Sequence, residues 1–197
     1  MKRNILLASS SPYRKQLLER LGLPFDCANP DIDESPQPGE TAEALAVRLA
    51  TQKAQALASN NPNTLIIGSD QVATLPDGNL LNKPGSHEQA TTQLSASSGQ
   101  SVQFFTGLAI LDTQTGTLKT HCEPFIVRFR NLSEDEITGY LNKEKPYDCA
   151  GSFKMEGLGI TLFSSLEGRD PNSLIGLPLI ALNDMLRELG INSLLND

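Results

Sequence analysis

Several short segments place side chains of chemically useful type close together. Ser9-Ser10-Ser11-Pro12, followed by Tyr13, Arg14 and Lys15, has the make-up of an anion-binding helix start. Serines cap a first turn, Pro fits its first position, and free backbone N–H groups there favour negative charge. The glycines of a Walker loop are missing, and the same residues also describe a capped surface helix with solvated basic side chains. Carboxylates form a second group. Asp70 ends an apolar strand, and Glu34 sits with Asp31 and Asp33 in an acidic, Pro-rich connection, Asn29–Gly39. Asp70 and Glu34 are hard oxygen donors of the kind that Mg²⁺ or Mn²⁺ takes alongside substrate phosphates. Their ordinary readings are an Asx turn and a solvated loop. Arg14, Lys53 and Lys83 form a third group. A polyphosphate brings several negative charges, and a planar guanidinium and a compact ammonium match them differently. Lys83, before Pro84, also reads as a turn lysine. In Ser152-Phe153-Lys154-Met155-Glu156-Gly157-Leu158-Gly159 the glycines allow a ligand close to the backbone; a hairpin is the plainer reading.

These residues need elements to hold them. Asn4–Ala8 reads as a short buried strand feeding the serine turn, and the helix after it runs through Leu17, Leu18 and Leu21 to Gly22. Thr41 opens an Ala-rich helix to about Ser59, in which Leu45, Leu49 and Leu57 share one stripe and Lys53 falls between them. A lysine in an apolar stripe must snorkel or reach a partner. Thr64–Gly68 reads as a strand ending in Ser69-Asp70-Gln71, and Asp77-Gly78 as a hairpin turn. Ser86 with Gln89 and Ser133 with Glu136 are candidate capping boxes. Long strands are expected over Val102–Leu111 and Leu118–Arg130, an extended segment over Gly151–Phe163, and a last helix through Leu179, Leu182, Leu186 and Leu189. Strands and helices mix without strict alternation, which predicts an α/β fold with helices packed on a mixed sheet. Ligands of such sheets bind at the carboxyl ends of strands.

Composition narrows the function classes. The 197 residues suffice for one core or two small lobes. A net charge of −7 argues against a nucleic-acid polymer as partner. The apolar runs fall far short of the roughly 20 residues that span a bilayer. The start of the chain has no signal-peptide core, so no membrane partner is expected. Cys27, Cys122 and Cys149 are odd in number and lack metal-ligand spacing, which suits reduced thiols and a cytoplasmic location. His87 and His121 are far apart, which argues against a zinc site.

Taken in order, Leu7-Ala8-Ser9-Ser10-Ser11-Pro12-Tyr13-Arg14-Lys15, Asp31-Ile32-Asp33-Glu34, Lys53, Ile67-Gly68-Ser69-Asp70-Gln71, Lys83-Pro84, Phe105-Thr106-Gly107 and Gly151-Ser152-Phe153 through Gly159 resemble the Maf family of nucleotide pyrophosphatases. The resemblance covers almost the whole chain as one Maf-like domain, residues 1–197. Asn82 stands where the family usually has glycine; Asn tolerates positive φ, so the turn is expected to survive. The resemblance implies a Maf/ITPase-like mixed sheet with a deep cleft between two lobes. It implies hydrolysis of a nucleoside triphosphate between its α- and β-phosphates, with a divalent metal cation. Asp70 would be the general base, Glu34 an active-site carboxylate, and both metal ligands; Ser9, Arg14, Lys53 and Lys83 would bind phosphate. At the positions of Tyr13, Gln71 and Glu156 the dTTP/UTP subgroup typically carries Arg, Thr and Gln. This chain instead is similar to the YceF-type subgroup, which prefers 7-methyl-GTP, with removal of modified nucleotides as the implied role. A homodimer fits the family. The alternatives are a dTTP/UTP pyrophosphatase, a phosphatase releasing free phosphate, and a non-catalytic nucleotide-binding regulator of cell division.

Overall fold

Residues 3–195 are described by a computed structural model. Among them six strands form one sheet: β1 (Asn4–Ala8), β2 (Asp26–Ala28), β3 (Thr64–Thr74), β4 (Ser101–Asp112), β5 (Thr117–Phe129) and β6 (Phe163–Gly168), in the order β2-β1-β3-β4-β5-β6. β1 lies parallel to β2 and β3, whereas β6 lies antiparallel to β5, so the sheet is mixed as expected. The α-helices are α1 (Pro12–Glu19), α2 (Ala42–Ala56), α3 (His87–Ser97), α4 (Glu134–Glu144), α5 (Asn172–Ile175) and α6 (Leu179–Glu188). No helix of the described residues is long and apolar enough to cross a membrane.

The chain sorts into two compact units. The first comprises Met1–Asp70, Thr106–Glu123 and Asp170–Asp197; the second comprises Gln71–Phe105 and Pro124–Arg169. In the first, the pleat divides the apolar strands between two cores. Leu7, Leu65, Ile67, Leu108 and Ile110 pack with Leu17 and Leu18 of α1 and Leu182 and Leu186 of α6. Leu6, Ala8, Ile66 and Ala109 face the other way, against Ala50 and Ala54 of α2. The small residues there let α2 come close. A Cβ on Gly68 would lie 2.0 Å from the Ala50 carbonyl oxygen, and one on Gly107 would lie 2.1 Å from that of Ala46.

In the second unit, Phe153 packs edge-on against Phe104, Phe129 and Phe163, with centroids 5.4, 5.8 and 4.8 Å away. Ser133 and Glu136 form the expected reciprocal cap of α4, and Ser86 accepts from the Gln89 amide at the start of α3.

Some sequence expectations need correction. β3 does not stop at Gly68 but continues to Thr74, because Val72, Ala73 and Thr74 remain buried. Asp70 therefore lies inside a strand and not at its end. Residues 151–163 are not an extended hairpin. Gly151 and Ser152 take φ of 74° and 62°, and 3₁₀ turns follow at Ala150–Ser152 and Leu158–Leu162. Seating Phe153 in the aromatic core turns the chain away from a ladder. Asn82 has no positive φ; Gly85, at 68°, supplies the left-handed residue beyond Lys83-Pro84.

The helix–strand contact gives a direct test. Gly68→Ala should lower unfolding stability by about 1–3 kcal/mol through overpacking against a backbone carbonyl, measured by denaturant titration, while an added methyl at half-buried Gly139 meets nothing within 4 Å.

Candidate functional site

The close seating of α2 decides where its next turn goes. Leu45, Leu49 and Lys53 follow one stripe, as the sequence suggested, and Lys53 is buried to 6% exposure. The lysine does not snorkel. Its Nζ donates to Asp70 Oδ1 at 2.6 Å and lies 2.7 Å from Glu34 Oε1. Asp70 faces α2 because strand alternation sends Ile66, Gly68 and Asp70 to that side and Leu65, Ile67 and Ser69 to the other. Two carboxylates far apart in sequence thus share one buried ammonium. Asp70 is almost enclosed, with 12% of its side chain exposed, whereas Glu34 has 56% in solvent.

Arg14 belongs to the same neighbourhood. Ser11 caps α1 by accepting from the Arg14 amide at 3.4 Å, with Pro12 in the first turn. Burial pulls the Arg14 pKa below its ordinary value, while the charges of Asp70 and then Glu34 pull it back up. A guanidinium keeps its proton under either influence. Its Nε donates to the Gly176 carbonyl at 2.8 Å, so the terminal nitrogens carry the remaining donors of the fork. Ser9 is buried at the carboxyl end of β1, one residue past the Ala8–Gly68 pairing, and its Oγ accepts from the Ser11 amide at 3.1 Å. Tyr13 is half-buried in the first turn of α1.

The remaining candidates fall in the second unit. Gln71 is half-buried and follows Asp70 in β3, so the pleat directs it to the opposite face of the strand. Lys83 is exposed, in a segment fixed on either side: the Gln93 side chain donates to the Asn82 carbonyl at 2.9 Å, and the Gly85 amide donates to the Tyr147 carbonyl at 2.9 Å. Glu156 is exposed between the two 3₁₀ turns.

Sequence reasoning missed the supports of this arrangement. Ser69 is fully buried, and its hydroxyl lies 2.8 Å from the Gly107 carbonyl and 3.0 Å from that of Gly176, the oxygen that Arg14 uses. Asp170, also fully buried, accepts from the Asn172 and Ile180 amides at 2.9 and 2.8 Å and so orders α5 and the start of α6. An Asp-Pro-Asn-Ser run ahead of a helix is a turn-forming signal; nothing local to Ser69 marks it.

For a metal, the donor set is informative. Among the described residues no group of three or more His, Cys, Asp and Glu is disposed to hold an ion. The Glu34 and Asp70 pair, already attracting a cation, fits Mg²⁺ or Mn²⁺, which need one or two carboxylates when substrate phosphates complete the shell. The three cysteines are free, and burial pushes the Cys122 and Cys149 thiols up to about 12.

Two measurements follow. Alkylation at neutral pH should label Cys27 first: burial raises all three thiols, but Cys27 is exposed while Cys122 and Cys149 are half-buried and pushed up to about 12; fast labelling of Cys122 would contradict its burial. Lys53→Met should destabilise the fold by about 1–3 kcal/mol by leaving Asp70 without its charged partner, and adding Asp70→Asn should recover much of that loss in thermal denaturation.

The chain is 58% identical to a 7-methyl-GTP pyrophosphatase of Pseudomonas syringae pv. tomato, covering 96% of this chain and 98% of that protein. It is 55% identical to a 7-methyl-GTP pyrophosphatase of Nitrosococcus oceani over 94% and 93% of the two chains. Among solved structures, the Staphylococcus aureus Ham1 protein matches 94% of this chain and 99% of its own with a TM-score of 0.54 at 16% identity, a likeness of fold alone. The family model for Maf-like proteins matches residues 4–189, and the chain belongs to that family.

Proposed function

We propose that this protein is a nucleoside triphosphate pyrophosphatase that hydrolyses 7-methyl-GTP to 7-methyl-GMP and diphosphate. The reaction rests on one observation above all: Lys53 gathers Asp70 and Glu34 onto one buried ammonium, with Arg14 close enough to feel both charges. The substrate rests on the relatives at 55–58% identity.

In this reading Asp70 accepts the proton of the water that attacks the α-phosphorus, and the pyrophosphate leaves as the α–β bond breaks. Its enclosure by α2 limits the directions in which that water can lie. Lys53 neutralises charge on the triphosphate, and the Arg14 terminal nitrogens offer a fork to phosphate oxygens. Ser9 and Lys83 bind phosphate as well. Glu34 and Asp70 would hold Mg²⁺ or Mn²⁺, which when bound would offset charge on the phosphates and on the leaving group.

The 7-methylguanine ring is cationic, and the residue types at three positions suit it. Tyr13 supplies an aromatic face, an attraction of about 0.5–2 kcal/mol. Glu156 accepts from N1–H and the exocyclic amine, and Gln71 both donates and accepts. The free thiols suit a cytoplasmic enzyme.

The test is a product-resolved assay with Mg²⁺ or Mn²⁺ over 7-methyl-GTP, GTP, dTTP, UTP and CTP. Diphosphate and 7-methyl-GMP are the expected products, with dTTP and UTP poor substrates. Asp70→Asn should lower kcat by about 10²–10⁴-fold with the fold intact, and chelation should abolish turnover. Preference for dTTP or UTP would overturn the roles of Tyr13, Gln71 and Glu156; binding without turnover would overturn the reaction itself.

A further inference from the structure

The connection that carries Glu34 has no helix or strand of its own from residue 29 to residue 41. Glu34 nevertheless stands 2.7 Å from Lys53 with 56% of its side chain in solvent. A half-exposed ion pair is weak against the entropy of an irregular segment. Something else must hold the segment in place.

Arg48 of α2 commits its guanidinium to the task. Nε and one terminal nitrogen grip both oxygens of Glu40, at 2.6 and 2.8 Å. The same terminal nitrogen donates to the carbonyl of Ser35, the residue after Glu34, at 3.0 Å. The other donates to Gln52 on the next turn of α2 at 3.0 Å, which braces the fork against the helix. The Arg48 and Glu40 side chains are only 19% and 9% exposed, so this pair is better shielded than Glu34 itself. The connection is also folded onto itself: the Ser35 amide donates to Asp33 Oδ1 at 2.9 Å, and the Gln37 amide donates to Glu40 Oε2 at 3.1 Å. Arg48 holds the Glu40 carboxyl below its usual range.

We propose that Arg48 is a positioning residue for the reaction: by fastening the connection at Ser35 and Glu40 it holds Glu34 on the ammonium shared with Asp70. This rests on the role given to Glu34 above. Arg48 and Lys53 lie about 7.5 Å apart along one helix axis, so two cations of α2 staple consecutive residues of the same segment. A planar fork is needed, because Lys offers no bidentate grip on Glu40 together with a bond to a carbonyl.

The experiment pairs hydrogen–deuterium exchange over residues 29–41 with a double-mutant cycle on the full-length protein. Arg48→Met and, from the other side of the clamp, Glu40→Gln should each speed exchange in that segment. Each should lower kcat/KM for the nucleotide by about 10–100-fold, the scale of a catalytic group displaced by about 1 Å. In a Glu34→Gln background the same changes should cost less than about 2-fold, since coupled residues do not add. Arg48→Lys should recover only part of the loss. Unchanged exchange in both variants would overturn the clamp, full recovery by Lys would overturn the need for a fork, and additive losses would overturn the route through Glu34. If Glu34→Gln alone leaves turnover intact while Asp70→Asn abolishes it, the role of Glu34 falls and takes the positioning role of Arg48 with it; segment exchange still reports whether the clamp exists.

Discussion

A charged ammonium withdrawn from water must be matched by opposite charge at hydrogen-bonding distance. Lys53 meets that condition twice, with Asp70 and Glu34, and much of the first unit can be understood as what makes the match possible. Helix α2 has to lie on the sheet closely enough for a side chain on its apolar stripe to reach a strand residue. Gly68 and Gly107 provide that closeness by removing the only atoms that would stand between backbone and backbone. Asp70 has to face α2, which follows from its even spacing from Ile66 and Gly68 on the pleat.

The same constraint shapes the electrostatics around it. Two carboxylates converging without a cation between them would repel. The buried ammonium stands between them, 2.6 Å from Asp70 and 2.7 Å from Glu34. Arg14 adds a second desolvated cation that feels the same pair. Its orientation depends on a carbonyl, that of Gly176, which is itself fixed by the Ser69 hydroxyl and by a segment that Asp170 orders. Arg14 thus leans on two buried polar residues, Ser69 and Asp170. Buried polar groups are generally hydrogen-bonded, and both Ser69 and Asp170 have backbone partners.

The candidate residues differ in how firmly they are held. Asp70 and Lys53 are enclosed and mutually dependent, whereas Glu34 is exposed and depends on its segment. Lys83 and Glu156 are exposed residues of the second unit, whose own core is an aromatic cluster and not a charged one.

Local pattern determined a good deal by itself. The buried run at β1, the caps at Ser11, Ser86 and Ser133, the turn at Asp77-Gly78 and the anomalous lysine in the α2 stripe are all encoded within a few residues, because capping, turn chemistry and periodicity act over that range. The order of the motifs was enough to suggest the family. What the tertiary structure decided is partnership. No spacing rule connects Glu34 to Lys53 or Ser69 to Gly176, since those contacts depend on how helices are laid across the sheet. The continuation of β3 past Asp70 and the 3₁₀ course of residues 150–162 have the same origin: burial against neighbours distant in sequence outweighed the local signals of Gly, Ser and Asp.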